Sequence, residues 1–191
     1  MATRTFRFAL PDPKAIEAEI QDRASMGTVT TVTKADIVAT AATGTTDGKL
    51  VLSGTPGAGG DVLILIPLHG VPTTLDGKLL RPTRAGFSAS KSTGATTTNK
   101  IASVGIYQSI PTAASATSTI TLVGTADTTG WLLGAAAATI VDITATLDST
   151  AVAEQGPLYL GIKVTVTTAA MAFNLHLTGH GWVEFDNIGV A

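Results

Sequence analysis

Leu158-Tyr159-Leu160-Gly161-Ile162-Lys163-Val164-Thr165-Val166-Thr167 alternates along its whole length. Leu158, Leu160, Ile162, Val164 and Val166 fall on one side, and Tyr159, Lys163, Thr165 and Thr167 on the other. A second run follows, in which Met171, Phe173, Leu175 and Leu177 alternate with Asn174, His176 and Thr178. Period-two patterns of this kind mark strands with one buried and one wet face, the building blocks of antiparallel sandwiches and barrels. Thr, at 33 of 191 positions, suits them: its β-branched carbon fits the pleat and its hydroxyl meets water.

Working outward, the same period predicts strands over 28–33, 36–41, 49–53, 61–66, 78–81, 101–108, 118–123, 139–147, 158–167, 171–178 and 182–186. Asp47-Gly48 and Asp76-Gly77 read as two hairpin turns. Val62-Leu63-Ile64-Leu65-Ile66 is apolar on both faces. It is either a central strand covered on both sides or a strand with one face against another subunit, through Leu63 or Leu65. At the N-terminus Phe6, Phe8 and Leu10 alternate with Thr5 and Arg7, a strand-like arm that Pro11-Asp12-Pro13 separates from the body. The arm's apolar face is expected to bury against another chain. Asp12 can cap a helix that Pro13 opens, Ile16, Ile20 and Ala24 stripe, and Gly27 ends.

The expected fold is all-β, an antiparallel β-sandwich of jelly-roll-like form. Residues 1–27 form an extended N-terminal arm and one short helix, and 28–191 the sandwich domain. With Val183 and Phe185 inward, Trp182, Glu184 and Asp186 point outward, as do Tyr159 and His176 on the preceding strands. Trp and Tyr dominate interface hot spots, so Tyr159, His176 and Trp182 are expected at an interface. The competing reading folds Trp182 over a sheet edge of its own subunit.

Composition removes several functions. Leu, Ile, Val and Phe supply 49 residues, enough for a core. The net charge of −2 offers no general attraction to nucleic acid or membrane, although residues 1–100 carry +3 and 101–191 carry −5. There is no Cys, hence no disulfide or thiolate chemistry. The first residues lack the apolar core of a secretory signal, and no uncharged apolar run approaches the ~20 residues that span a bilayer. Synthesis and folding in the cytoplasm are expected.

Motifs are equally spare. Gly54–Gly60 lacks the Lys-Ser/Thr that a phosphate loop needs, and Asp61 and a strand follow it. His176 and His180, with Glu184 and Asp186, could form a His/His/carboxylate metal set, but solvent-exposed or interface histidines explain them more simply. His69 has no acid–nucleophile pattern around it, and no Gly-x-Ser-x-Gly elbow occurs. No cofactor, metal or catalytic residue is expected. A carbohydrate-binding module would need exposed aromatic platforms, for which Trp131, Trp182, Tyr107 and Tyr159 remain.

The Thr/Ala/Gly-rich β body, the absent Cys and the arm-plus-helix start Thr3–Ser25 resemble a virion structural protein of tailed bacteriophages. The nearest match in kind is a β-sandwich capsid decoration, or cement, protein. The resemblance lies in architecture and composition over the full length, without a motif, so no family site transfers to a residue here. A major capsid protein would be longer and would need a long helix. The resemblance implies a non-enzymatic homo-oligomer, a trimer in most such proteins, that clamps neighbouring subunits of the phage major capsid protein on the capsid exterior. Within the virion class the alternative is a tail tube or tail-adsorption protein. From another class, the alternative is a carbohydrate-binding β-sandwich module.

Overall fold

The computed structural model describes residues 3–9, 37–41, 49–54, 60–91, 100–111, 118–132, 141–147, 150–166 and 173–187. Leu10, the expected helix, the expected strand 28–33 and the Asp47-Gly48 turn lie outside them. The described chain forms twelve strands: β1 (Thr3–Ala9), β2 (Ile37–Ala41), β3 (Lys49–Gly54), β4 (Gly60–Pro67), β5 (Thr74–Leu75), β6 (Lys78–Lys91), β7 (Lys100–Pro111), β8 (Ser118–Leu122), β9 (Trp131–Leu132), β10 (Val141–Thr146), β11 (Leu158–Val166) and β12 (Phe173–Asn187).

Every pairing is antiparallel. One sheet runs β10-β6-β12-β3-β2, with β1 on β12 and β5 on β6; the other runs β4-β11-β7-β8, with β9 on β7. The order has a simple logic. β7 pairs with β8, β6 with β10, β4 with β11 and β3 with β12, a nested series equivalent to one long hairpin rolled on itself. Pairing of β6 with β12 and of β7 with β11 then closes each sheet.

The two sheets enclose a single apolar cluster. Ile64, Ile66, Ile101, Val104, Ile106, Leu158, Leu160 and Ile162 come from one sheet, and Ala85, Phe87, Ala89, Ile143, Ala145, Val183 and Phe185 from the other. Each fully buried large aliphatic or aromatic side chain contributes roughly 1.5–3 kcal/mol. The alternation of β11 therefore reports its true faces, with Leu158, Leu160 and Ile162 inward.

Three expectations change. The C-terminal runs 171–178 and 182–186 are one 15-residue strand, not two. Gly179-His180-Gly181 reads as a break, but the ladder absorbs it as a register shift between Thr178 and Trp182, while β1 takes over from β3 as the flanking partner. Second, the strand starting at Lys78 does not stop at 81 but continues to Lys91. Pro82 is accommodated by a second register shift, opposite Glu184/Phe185. Third, β4 is not central: it borders its sheet in the described strand order. Ile64 and Ile66 enter the core, which leaves Leu63 and Leu65 on the outer face.

Two local devices fix the ends. Asp76 and Gly77 both take positive φ, 53° and 71°, which makes the β5–β6 connection the expected two-residue turn. Gln108, 1% exposed, donates through Nε2 to the carbonyls of Ala153, Gln155 and Gly156 at 2.9, 3.2 and 3.3 Å, and accepts the Ala153 amide at 2.7 Å. One amide side chain thus pins the 153–156 segment across an end of the sandwich.

Candidate functional site

The fold presents two outward sheet faces, and most of the residues singled out from sequence fall on one or the other. β1 is the exception. Phe8 is 6% exposed and belongs to the core of its own chain, and Phe6 packs against that core with its ring edge-on to Phe185, centroids 5.7 Å apart. The expectation that this apolar face meets another chain is therefore corrected. Proline residues at 11 and 13 do not keep the strand off the body, because β12 extends beyond β3 and leaves a free flank for it. Thr3 Oγ1 and Arg81 Nη2 both donate to Asp186, at 3.0 and 3.1 Å, and fasten the strand's start. Those bonds, with the Arg81 charge, hold the Asp186 carboxyl below its ordinary range.

On the second sheet, strand register sets Pro67, Tyr159, Tyr107 and Leu122 abreast across four strands. The next row is Leu65, Gly161 and Gly105, and the next Leu63, Lys163 and Ser103. This outward face is apolar where an antiparallel sheet would ordinarily be wet. Leu65 and Tyr159, 6% and 4% exposed, lie outside the core cluster, so they belong to a packed layer of their own. The paired glycines build that layer. A Cβ on Gly161 would stand within the Tyr107 ring, and one on Gly105 would lie 2.7 Å from a Leu122 methyl. Burial raises the Tyr107 phenol above its usual pKa. Leu122 remains 37% exposed at the margin, and Leu63 and Tyr107 are half-buried.

Sequence reading found Leu63, Leu65 and Tyr159 but missed their neighbours Pro67 and Leu122, and weighed Tyr107 only as a sugar platform. A signal was present. Tyr159-Leu160-Gly161 and Gly105-Ile106-Tyr107 carry Tyr and Gly in opposite order around one aliphatic residue, which an antiparallel register converts into Tyr-on-Tyr and Gly-on-Gly pairs.

On the first sheet, Trp182 does face outward. Its indole covers Gly86, its register partner on β6, which is an interior strand of the sheet rather than an edge. The Arg84 guanidinium carbon stands 5.5 Å from the ring centroid, and its Nη1 donates to Glu184 Oε2 at 3.3 Å. Trp131 instead packs against the core. His176 and His180 sit in β12 opposite Ser90 and Ala9, with side chains outside the described set. Among the described residues, no three His, Asp or Glu side chains gather as a metal would require.

No family model matches the chain, and no curated protein matches it. A solved structure reported for carbohydrate-binding modules of the β-sandwich superfamily, with promiscuous specificity, aligns at 17% identity and a TM-score of 0.40. The alignment covers 94% of this chain and 56% of that one, so the chain spans little more than half of that structure's length. Among the described residues, the strands establish an all-β, antiparallel, sandwich-like fold.

Proposed function

We propose that the chain is a non-enzymatic structural protein of a tailed-phage virion, a decoration protein that self-associates as a trimer and braces neighbouring capsid subunits on the head exterior. The observation that carries this reading is the apolar row Pro67–Tyr159–Tyr107–Leu122 with Leu63 beside it, on a face that faces away from the core. Its exposed margin, Leu122 with half-buried Tyr107 and Leu63, is suited to contact with protein, since apolar area removed from water contributes roughly 25 cal/mol per Å². The nested strand order supports it too, being that of a jelly roll, an architecture frequent in capsid and lectin domains. Bridging stabilises a shell by mass action, because the bridge binds only the assembled state.

Light scattering on the purified chain tests self-association, with trimers expected. Leu122→Asp should yield folded monomers, because a carboxylate on the exposed part of that contact costs about 2 kcal/mol or more once a partner covers it. Wild-type monomers at micromolar concentration would reject the trimer, and rings or tubes under negative stain would favour the tail alternative. Heads assembled from the phage's major capsid protein should withstand higher temperature with the chain added than without. An unchanged melting temperature would reject capsid bracing.

A further inference from the structure

β8 ends its sheet. Among the described strands it pairs with β7 alone, and its other margin faces no strand. The Val123 amide donates to the Ile106 carbonyl at 2.8 Å, so the backbone groups of residues 123, 121 and 119 point at β7. Those of Ile120 and Leu122 alternate with them and point away, which leaves their N–H and C=O groups on the open side. Thr121 and Leu122 turn their side chains to opposite faces and both are exposed, so this end of the strand is uncovered.

Outer strands usually carry a guard against pairing with another chain, a charge or a proline. β1 has Arg4 and Arg7, β4 has Asp61 and Pro67, and β10 has Asp142, with Asp127 Oδ2 taking its Thr146 amide. β8, Ser118-Thr119-Ile120-Thr121-Leu122, has neither. It also carries Leu122, exposed on the outer face beside half-buried Tyr107.

We infer that β8 is a pairing edge for a second copy of itself, antiparallel across a twofold axis at Thr121. The occupant follows from symmetry: an uncharged strand whose outward groups lie at 120 and 122, evenly about 121, is complementary to itself. In that register Ile120 of each copy meets Leu122 of the other, and their outward amides and carbonyls exchange hydrogen bonds in both directions. The apolar margins of the two sheets then join on the outer face, and Thr121 meets its own copy as a β-branched pair. The contact lies in the plane of the sheet, whereas the face read as the self-association contact looks out from it. The pairing therefore does not rest on the trimer reading, and it links one such trimer to the next. Being short, it is expected to fill at high local concentration, as between neighbours on a shared surface, rather than in dilute solution.

The chain has no Cys, so a single introduced thiol can cross-link only between copies. Directly opposed residues that do not exchange hydrogen bonds stand about 4.5 Å apart at Cα, inside the range a disulfide spans. With oxidised glutathione, Thr121→Cys is expected to form a disulfide-linked dimer about tenfold or more faster than Thr144→Cys, an exposed position on the other sheet. Rates are compared after correction for each thiol's reactivity towards a small disulfide. Adding Ile120→Pro to Thr121→Cys removes the outward amide but no ladder bond to β7, and should lower the rate to that of Thr144→Cys. Circular dichroism checks each variant; should the proline variant unfold, the comparison of Thr121→Cys with Thr144→Cys decides. Equal rates at the two positions, or a fast cross-link that survives Ile120→Pro in a folded protein, would overturn the pairing. Trimers by light scattering without the cross-link would leave the face contact standing and overturn this one.

Discussion

Phe8 stands opposite Gly181 in the β1–β12 ladder, and its ring fills the volume that a side chain at 181 would occupy. A strand near the chain's start is thereby keyed into the core by a knob and a hole. Gly181→Ala should force the ring aside and destabilise the monomer by about 1–3 kcal/mol. Phe8→Ala should cost about 3–5 kcal/mol, the range for deleting a buried aromatic. Removal of residues 1–10 should lower the urea midpoint of the monomer itself. A truncated chain as stable as the full one would show that β1 is an accessory strand and that the core closes without it.

The physical reasons some of this was legible in sequence, and some not, can be seen strand by strand. β11 declares itself because its inward residues are Leu and Ile and its outward ones are polar. The second half of β6 alternates just as strictly, with Ala85, Phe87 and Ala89 inward against Arg84, Gly86 and Ser88. Two of its three inward residues are Ala, however, and Pro82 precedes them, so hydropathy carries no clear period. The apolar row was hidden for another reason. Its members lie at 67, 107, 122 and 159, and only strand register brings them abreast.

Asp127 ties the two sheets together, and the tie should be pH-sensitive. Its backbone exchanges hydrogen bonds with Val104 of β7, while its Oδ2 accepts the Thr146 amide of β10 at 2.8 Å and its Oδ1 the Thr129 amide and hydroxyl at 2.8 and 2.6 Å. Burial alone would raise this carboxyl, but the three hydrogen bonds outweigh it and hold the pKa below its ordinary value. A carboxyl depressed in the folded state stabilises above its unfolded pKa, about 3.9, and that contribution disappears as pH falls through the folded value. Asp127→Asn presents an N–H to the Thr146 amide and should cost about 1–2 kcal/mol at neutral pH. Urea midpoints should converge for the two proteins as the pH drops below 4, the ordinary carboxylate range. A gap that stays constant down to pH 2 would assign the loss to geometry rather than to charge.

Gln108→Leu keeps the volume of a nearly inaccessible side chain and strips its polar atoms. The Ala153 amide and the carbonyls of Ala153, Gln155 and Gly156 then lose their partner. Leaving these part-buried amide groups without Gln108 should cost about 1–3 kcal/mol. The damage should also be local, with faster hydrogen exchange and proteolytic cleavage between 150 and 157 before the sheets open. Cleavage spread evenly over the chain would mean that Gln108 supports the core rather than the loop.

Gly161→Ala probes the packed outer layer directly. The added methyl stands where the Tyr107 ring lies, so the ring must swing off the sheet towards water. The monomer should lose about 1–2 kcal/mol and remain folded, since the displaced group is on the surface. Two consequences can be read separately. The Tyr107 phenol, raised by burial, should titrate nearer its ordinary value of about 10, visible as phenolate absorbance in a Tyr159→Phe background. Self-association should weaken in the same variant, because the row opposite Leu122 is broken at its centre. A shifted titration with full self-association would leave the glycine pair as a packing device and move the subunit contact elsewhere. An unshifted titration in a folded variant would mean that the ring was never held by Gly161.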